Sequence, residues 1–496
     1  MSHEVLPAHA VPRFLGHVMG LVTAADFVSS LSVLMASAEL RGGLNATPTD
    51  FIWILTAYAA ASLLIVPLIE RLARRWHYRD LMACGLAVFI VGALWAALSE
   101  NVIGVIAARV LQGLGGGGLF TMSRVYLQLA VPTPARPAQL KGYMLGLLGS
   151  TAPMSWLTTA LVQAWHWQAV FLLQAAFALP VLIVLLLTVR SERHTPRSLG
   201  DMDWVMALAF GLGCLSLLHG MENLELVQID VQQLALFAAA ASALLFALYR
   251  LYHHHDPLLN IGVVNGRRYL VGLGFYGLYY LINGATSFIY PRLFESGVGM
   301  PLETAGLLIS FSGCTTVVLL PVYFRLAPRL GDRRKVIAAG FAVAAIALFW
   351  MSFMITSSTP FVQLLGPMAL KGIFPVLGVI QIAGLTYREV PHEDFAHAYA
   401  LKNIVRQLAN TFAAGVASQS WQRFAAQDRA VLIERVNPFD SRFVDSIWSH
   451  SVVGLAQLSE EIDHQVTVLV GNSLLTIVAV LCLIGIPLVL VQKRLQ

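Results

Sequence analysis

Long apolar runs recur along the whole chain, separated by short polar connections. Runs of about 18–25 residues with few charges predict helices that cross a bilayer rather than strands or a soluble core. About fourteen such spans are expected, near residues 14–38, 51–70, 81–98, 103–128, 141–161, 168–190, 204–220, 233–251, 269–290, 304–324, 335–355, 361–387, 396–420 and 467–491. The connections are too short to hold a soluble catalytic domain. The exception is 421–466, polar and mixed in charge, which reads as a long loop.

Composition agrees with this pattern. Of 496 residues, 57% are hydrophobic and 12% charged, about half the charge of an average soluble protein. A net charge of +5 is too small to signal nucleic-acid binding. The four cysteines, Cys84, Cys214, Cys314 and Cys482, fall in apolar runs without metal spacing and read as small core residues. The polar start Met1–Arg13 precedes an apolar run too long for a secretory signal, so the first helix is expected to be retained.

Lys and Arg set the orientation. With both termini cytoplasmic, the inner connections carry about 21 of them and the outer ones about 6, a bias that supports an even number of spans. Arg71, Arg74, Arg75 and Arg79 form one inner cluster; Arg325, Arg329, Arg333, Arg334 and Lys335 form another. The chain also repeats itself. Pro67, Leu72, Ala73 and Arg75 match Pro321, Leu326, Ala327 and Arg329 at identical spacing, and Leu111-Gln112-Gly113 matches Leu370-Lys371-Gly372. Two six-helix halves are therefore expected, residues 1–190 and 269–496, with a two-helix insert and its linkers at 191–268. Secondary transporters are commonly built from such repeats, with the substrate site between them at mid-membrane. Arg75 and Arg329 are expected to serve the gating loops.

Polar groups inside the spans carry the candidate chemistry. The stretch Val105–Phe120 holds Arg109, Gln112 and the glycines Gly113, Gly115, Gly116, Gly117 and Gly118. An arginine in a span costs several kcal/mol unless it faces a polar interior or a partner. The glycines let neighbouring backbones approach. Gly113-x-Gly115-x-x-Gly118 matches the dinucleotide fingerprint only formally, since no strand precedes it. Asp26, central in the first span, is expected to load and release a proton; its alternative is a structural partner for a cation. Lys371 and Arg406 either meet an anionic substrate or neutralise a scaffold charge. Lys402 is expected to snorkel to the inner surface. Gln112, Trp156, Tyr280 and Asn283 are further candidates for lining a substrate site. His253-His254-His255-Asp256 and His392–His397 lack metal-binding spacing, and no nucleophile elbow or P-loop is present. Neither metal, cofactor nor enzyme activity is expected.

At this point the residues resemble the fourteen-helix drug–proton antiporter branch of the major facilitator superfamily, over nearly the whole length. Asp26 resembles the acid of that family's first helix, and Trp53–Tyr58 the opening of its second. Arg109-Val-Leu-Gln112-Gly113 resembles its fourth-helix motif, His166–Phe171 the start of its sixth helix, and Asp256–Tyr269 the lead-in to its ninth. Asn403–Leu408 with Ala413–Ser418 resembles its thirteenth helix, and Val436-Asn437-Pro438 part of its outer loop. The resemblance implies an all-α membrane protein of two six-helix bundles plus two helices. It also implies proton-driven export by alternating access, with Asp26 and Arg109 in proton coupling.

Two departures matter. After the second span the family has Gly, Asp and Gly where this chain has Glu70, Arg74 and His77, so the charge pairing there must differ. In the fifth span the antiporter motif Gly-Pro-x-x-Gly-Gly falls on Met154–Thr159, with Pro153 one residue early. The expectation is a proton-coupled exporter of a small amphipathic or anionic compound, a monomer in a bacterial inner membrane, with protons and lipid as its other partners. A proton symporter or importer, of a siderophore-like metabolite for example, is the alternative. A lipid-modifying membrane enzyme, or a scaffold using 421–466 as its contact surface, are rivals from other classes.

Overall fold

The computed structural model describes residues 11–189, 202–222, 230–260, 266–387, 390–391, 394–436 and 452–492. Among these there are helices and no strands. Twelve helices are long and apolar enough to cross a membrane: α1 (Leu15–Met35), α2 (Thr49–Arg75), α3 (Tyr78–Leu98), α4 (Val102–Ala130), α5 (Arg136–Ala164), α6 (Ala169–Thr188), α7 (Trp204–Met221), α8 (Val231–His253), α10 (Leu302–Arg329), α11 (Arg333–Met354), α12 (Phe361–Thr386) and α14 (Val453–Val491). Two more pack inside the bundle, α9 (Arg267–Arg292) and α13 (Phe395–Arg435). These two are the most polar of the set because they line the interior. The end carrying the Arg71 and Arg333 clusters, expected to be cytoplasmic, is called the inner end below.

Helix contacts repeat with an offset of eight. α1 packs on α5 as α9 packs on α13, α2 on α4 as α10 on α12, and α3 on α6 as α11 on α14. Small residues make these contacts close. A Cβ on Gly20 would lie 2.3 Å from the Tyr143 carbonyl oxygen, and one on Gly284 would lie 2.2 Å from that of Asn410. The inserted pair α7 and α8 is attached through α7, which contacts both α2 and α13. His219 of α7 lies over Trp53 of α2, with ring centroids 4.1 Å apart.

Three expectations change. The polar stretch 421–466 is not a loop in its described parts: α13 runs on to Arg435, and α14 begins near Val452. Its polar composition marks helix projecting beyond the apolar slab. Cys84 and Cys314 are exposed on the bundle surface rather than in the core, and only Cys214 and Cys482 are buried. Finally, α4 is two segments, Val102–Gly116 and Leu119–Ala130, broken at Gly117-Gly118. Asn437, Pro438 and residues 261–265, on which part of the motif reading rests, lie outside the described residues, as do His392 and Glu393.

Candidate functional site

The glycines of α4 set the site's geometry. A Cβ on Gly113 would stand 2.5 Å from the Tyr58 carbonyl oxygen, and one on Gly117 would stand 2.4 Å from Ser62 Cα. Their absence draws α2 against α4 and brings Tyr58 beside Arg109, whose guanidinium carbon lies 4.2 Å from the ring centroid. The same tyrosine donates its hydroxyl to Asp26 Oδ1 at 2.6 Å. Asp26 and Arg109, both fully buried, are thus joined through Tyr58 rather than to each other.

The direct partner of Asp26 comes from the other half of the molecule. Arg406 Nη2 of α13 donates to Asp26 Oδ2 at 2.5 Å. Arg406 is aimed by Asn403, whose side-chain oxygen accepts from Nε at 3.0 Å and from Nη2 at 2.8 Å. Asn403 in turn donates to Thr121 Oγ1 and to the carbonyl of Gly117 at the break in α4. A helix break frees a carbonyl from its usual i+4 partner, and here that carbonyl anchors the opposite half.

Arg109 has no carboxylate partner among the described residues. It donates to Ser29 Oγ at 2.6 Å, to Gln112 Oε1 at 2.9 Å and to the Ile54 carbonyl at 3.3 Å. Gln112 passes the chain on to Gln174, and Gln174 to Ser32. This network ties α1, α2, α4 and α6 together. Gln112 is committed to it and does not line the cavity, contrary to its expected place in the substrate site.

Between the halves lies a cavity of about 280 Å³. Tyr280, Asn283, Lys371 and Arg406, four of the candidates named from sequence, line it. Trp156 does not. It is 37% exposed, and its indole donates to Glu303 at the α5–α10 contact. Its neighbour Ser155, about 100° round the helix, does reach the cavity. Lys402 corrects another expectation: it is 4% exposed and lines the cavity instead of snorkelling. Its ammonium lies 4.3 Å from the Tyr276 centroid, 4.8 Å from Tyr399, 5.3 Å from Tyr387 and 5.8 Å from Phe120. Lys371 sits similarly over Tyr290 at 4.5 Å. Among the described residues the cavity lining therefore has three cations, six tyrosines and no carboxylate.

At the inner end the two halves meet again. Buried Arg71 donates to the Asp256 carboxylate and to the Asp256 and Pro257 carbonyls at 2.9 and 3.1 Å. That hydrogen bond holds the Asp256 carboxyl below its usual range. Glu70 pairs with His397 of α13 at 2.6 Å and with Arg74 at 3.0 Å. Here is the altered charge pairing that the unusual sequence after α2 requires. Arg75 is exposed beside Trp76, and Arg329 is exposed, so the inner contact runs through Glu70 and Arg71 rather than through the two arginines picked out by the repeat.

The fifth-helix departure also has a structural counterpart. A Cβ on Gly306 of α10 would stand 2.0 Å from Thr159 Oγ1, and one on Gly313 would stand 3.0 Å from Ala152 Cα. The small residues that let the halves touch there stand on α10, facing the Ala152–Thr159 stretch of α5.

A paired helical bundle with a buried ion pair and a cavity between its halves fits a membrane transporter. Residues 18–414 match the family model of the Major Facilitator Superfamily, and the chain belongs to that family. It is 22% identical over 483 residues to the multidrug export protein EmrB of Escherichia coli K12, covering 96% of this chain and 94% of that one. It is 20% identical to the fatty acid resistance protein FarB of Neisseria gonorrhoeae, covering 96% and 95%. The xylose transporter XylE from E. coli shares the fold at a TM-score of 0.56 and 13% identity, covering 95% and 96%. The chain is a multipass membrane transporter.

Proposed function

We propose that this protein is a proton-coupled secondary transporter of small amphipathic compounds carrying an anionic group, working by alternating access of its two six-helix halves in a bacterial inner membrane. The observation that carries the reading is the lining of the central cavity: Lys371, Lys402 and Arg406 among tyrosines, with no carboxylate among the described residues. Such a surface repels cations and attracts anions, while the aromatic rings accept an apolar body. Proton coupling is assigned to Asp26, the carboxylate held against Arg406 at the junction of the halves. Arg109 shares in it through Tyr58.

Export is the direction supported by the relatives, which are named for multidrug export and fatty acid resistance. Symport is favoured by one observation of this chain: the acid that would take the proton is already paired with a cation of the anion site. The test is flux of radiolabelled decanesulfonate in proteoliposomes under imposed pH gradients of either sign. Gradient-driven flux that the Asp26→Asn variant lacks supports the reading. Flux of decyltrimethylammonium but not of the sulfonate would replace the anionic cargo with a cationic one.

A further inference from the structure

We propose that Asp26 is a built-in stand-in for the cargo's anion, so that protonating it releases Arg406 to the cargo and makes proton and anion bind together. The proposal rests on the anionic reading above. Arg406 belongs to the cavity lining yet gives its Nη2 to Asp26 at 2.5 Å. While that bond holds, the one guanidinium among the described lining residues is engaged by a resident carboxylate through Nη2. A proton on Asp26 removes its charge. The neutral acid then competes poorly, and an incoming sulfonate or carboxylate takes its place on the guanidinium. The Nε and Nη2 bonds to Asn403 keep Arg406 aimed during the exchange.

Charge is conserved at each step. The empty site holds Asp26 anionic against Arg406, and the loaded site holds neutral Asp26 with the cargo anion against Arg406. Arg406 never stands without an anion except in passing, which matters because removing one partner of a buried pair is strongly destabilising. Lys402, one turn before Arg406, differs in kind. Its cage of aromatic faces stabilises the ammonium without an acid. It supplies a standing attraction, while Arg406 supplies the part that the proton switches.

The titratable and charged groups facing Asp26 are Tyr58 from α2, Arg109 from α4, Tyr280 from α9 and Arg406 from α13. From α5, Tyr143 bonds Thr23 one turn away, and α6 contributes neutral Gln174. Phenols and guanidiniums ordinarily titrate far above neutral pH. Lys402, one turn from Arg406, and Lys371 line the same cavity and are titratable too, so the Asp26→Asn variant separates the carboxylate from them. Because proton and anion favour the same state, they move together, and an inward proton gradient drives the anion inward.

Binding of radiolabelled decanesulfonate, which stays ionised throughout, to the purified full-length protein between pH 5.5 and 8.0 tests this. Affinity should weaken as pH rises, by at most about tenfold per unit for one linked proton. The Asp26→Asn variant should bind at pH 8.0 as tightly as the wild type at pH 5.5, with a flat profile. Tyr58→Phe, which removes a donor to the carboxylate, should extend tight binding to higher pH. Lys402→Gln should weaken binding at every pH without moving the midpoint. Wild-type affinity that changes less than twofold across the range overturns the linkage but leaves the anion site standing. Failure to bind the sulfonate, with decyltrimethylammonium bound instead, overturns both.

Discussion

Arg406 of α13 reaches across the molecule to place a guanidinium nitrogen 2.5 Å from the Asp26 carboxylate of α1. The residues are 380 positions apart and belong to opposite halves. Breaking this bond would therefore be both a chemical event at the proposed proton site and a mechanical event at the junction of the halves.

Replacing Asp26 with Asn should abolish proton-linked transport while leaving a folded protein. Removing one member of a buried ion pair typically costs about 3–5 kcal/mol, but Asn403 still holds Arg406, so the cost should fall at the low end. Thermal unfolding in detergent and pH-jump flux in proteoliposomes read the two effects separately. Coupled flux in this variant at the wild-type rate would remove Asp26 from the mechanism.

Lys371→Ala should change ligand affinity far more than expression. The ammonium lies over Tyr290 in the cavity and makes no hydrogen bond or ion pair among the described residues. A loss of about tenfold in decanesulfonate affinity, about 1.4 kcal/mol, is the expected result. Unaltered affinity with poor folding would return Lys371 to the scaffold.

The contact of α10 with α5 should tolerate no added methyl at Gly306. Overpacking typically costs about 1–3 kcal/mol, and a Cβ there would meet Thr159 Oγ1 at 2.0 Å. Gly306→Ala should lower both melting temperature and transport, and adding Thr159→Gly should restore them only in part, because the Ser155 carbonyl oxygen at 2.9 Å remains. A second change that rescues nothing would show that the methyl acts elsewhere.

Stability should depend on pH through Glu295, which follows α9 at the outer end. Burial, with Glu39 adding repulsion, pushes its carboxyl up to about 7. An acid whose folded value exceeds its unfolded one binds more protons when folded, so stability falls as pH rises from about 4.5 to about 7. Glu39, also raised by burial, acts in the same direction. Melting temperatures at pH 5.0 and 7.5 should differ less for Glu295→Gln than for the wild type. An equal difference in both would place the pH dependence in other groups.

Much of the fold was legible because hydropathy along a chain reports the solvent each segment will meet. The membrane-length helices, the repeat and the family could be read from local runs and fixed spacings such as Pro67–Arg75 and Pro321–Arg329. The candidate site was legible only by residue type. Asp26, Arg109, Lys371 and Arg406 stood out because charge in an apolar run is costly. Gln112 and Trp156 looked equally suited to a cavity, yet they face a buried network and the α5–α10 contact. Lys402 lies near the start of α13, where depth alone suggests snorkelling. The signal that could have flagged it is its spacing of four from Arg406, which puts both on one helical face.

The order of residues by itself thus determined that the chain crosses a membrane many times, that its halves echo each other, and which charged groups must be sheltered. Only the tertiary structure decided their partners: Arg406 rather than Arg109 on Asp26, Glu70 with His397, and Lys402 inside a ring of aromatics. The physical reason is that burial cost depends on a residue and its own helix, whereas an ion pair depends on where two distant helices place their side chains to within an ångström.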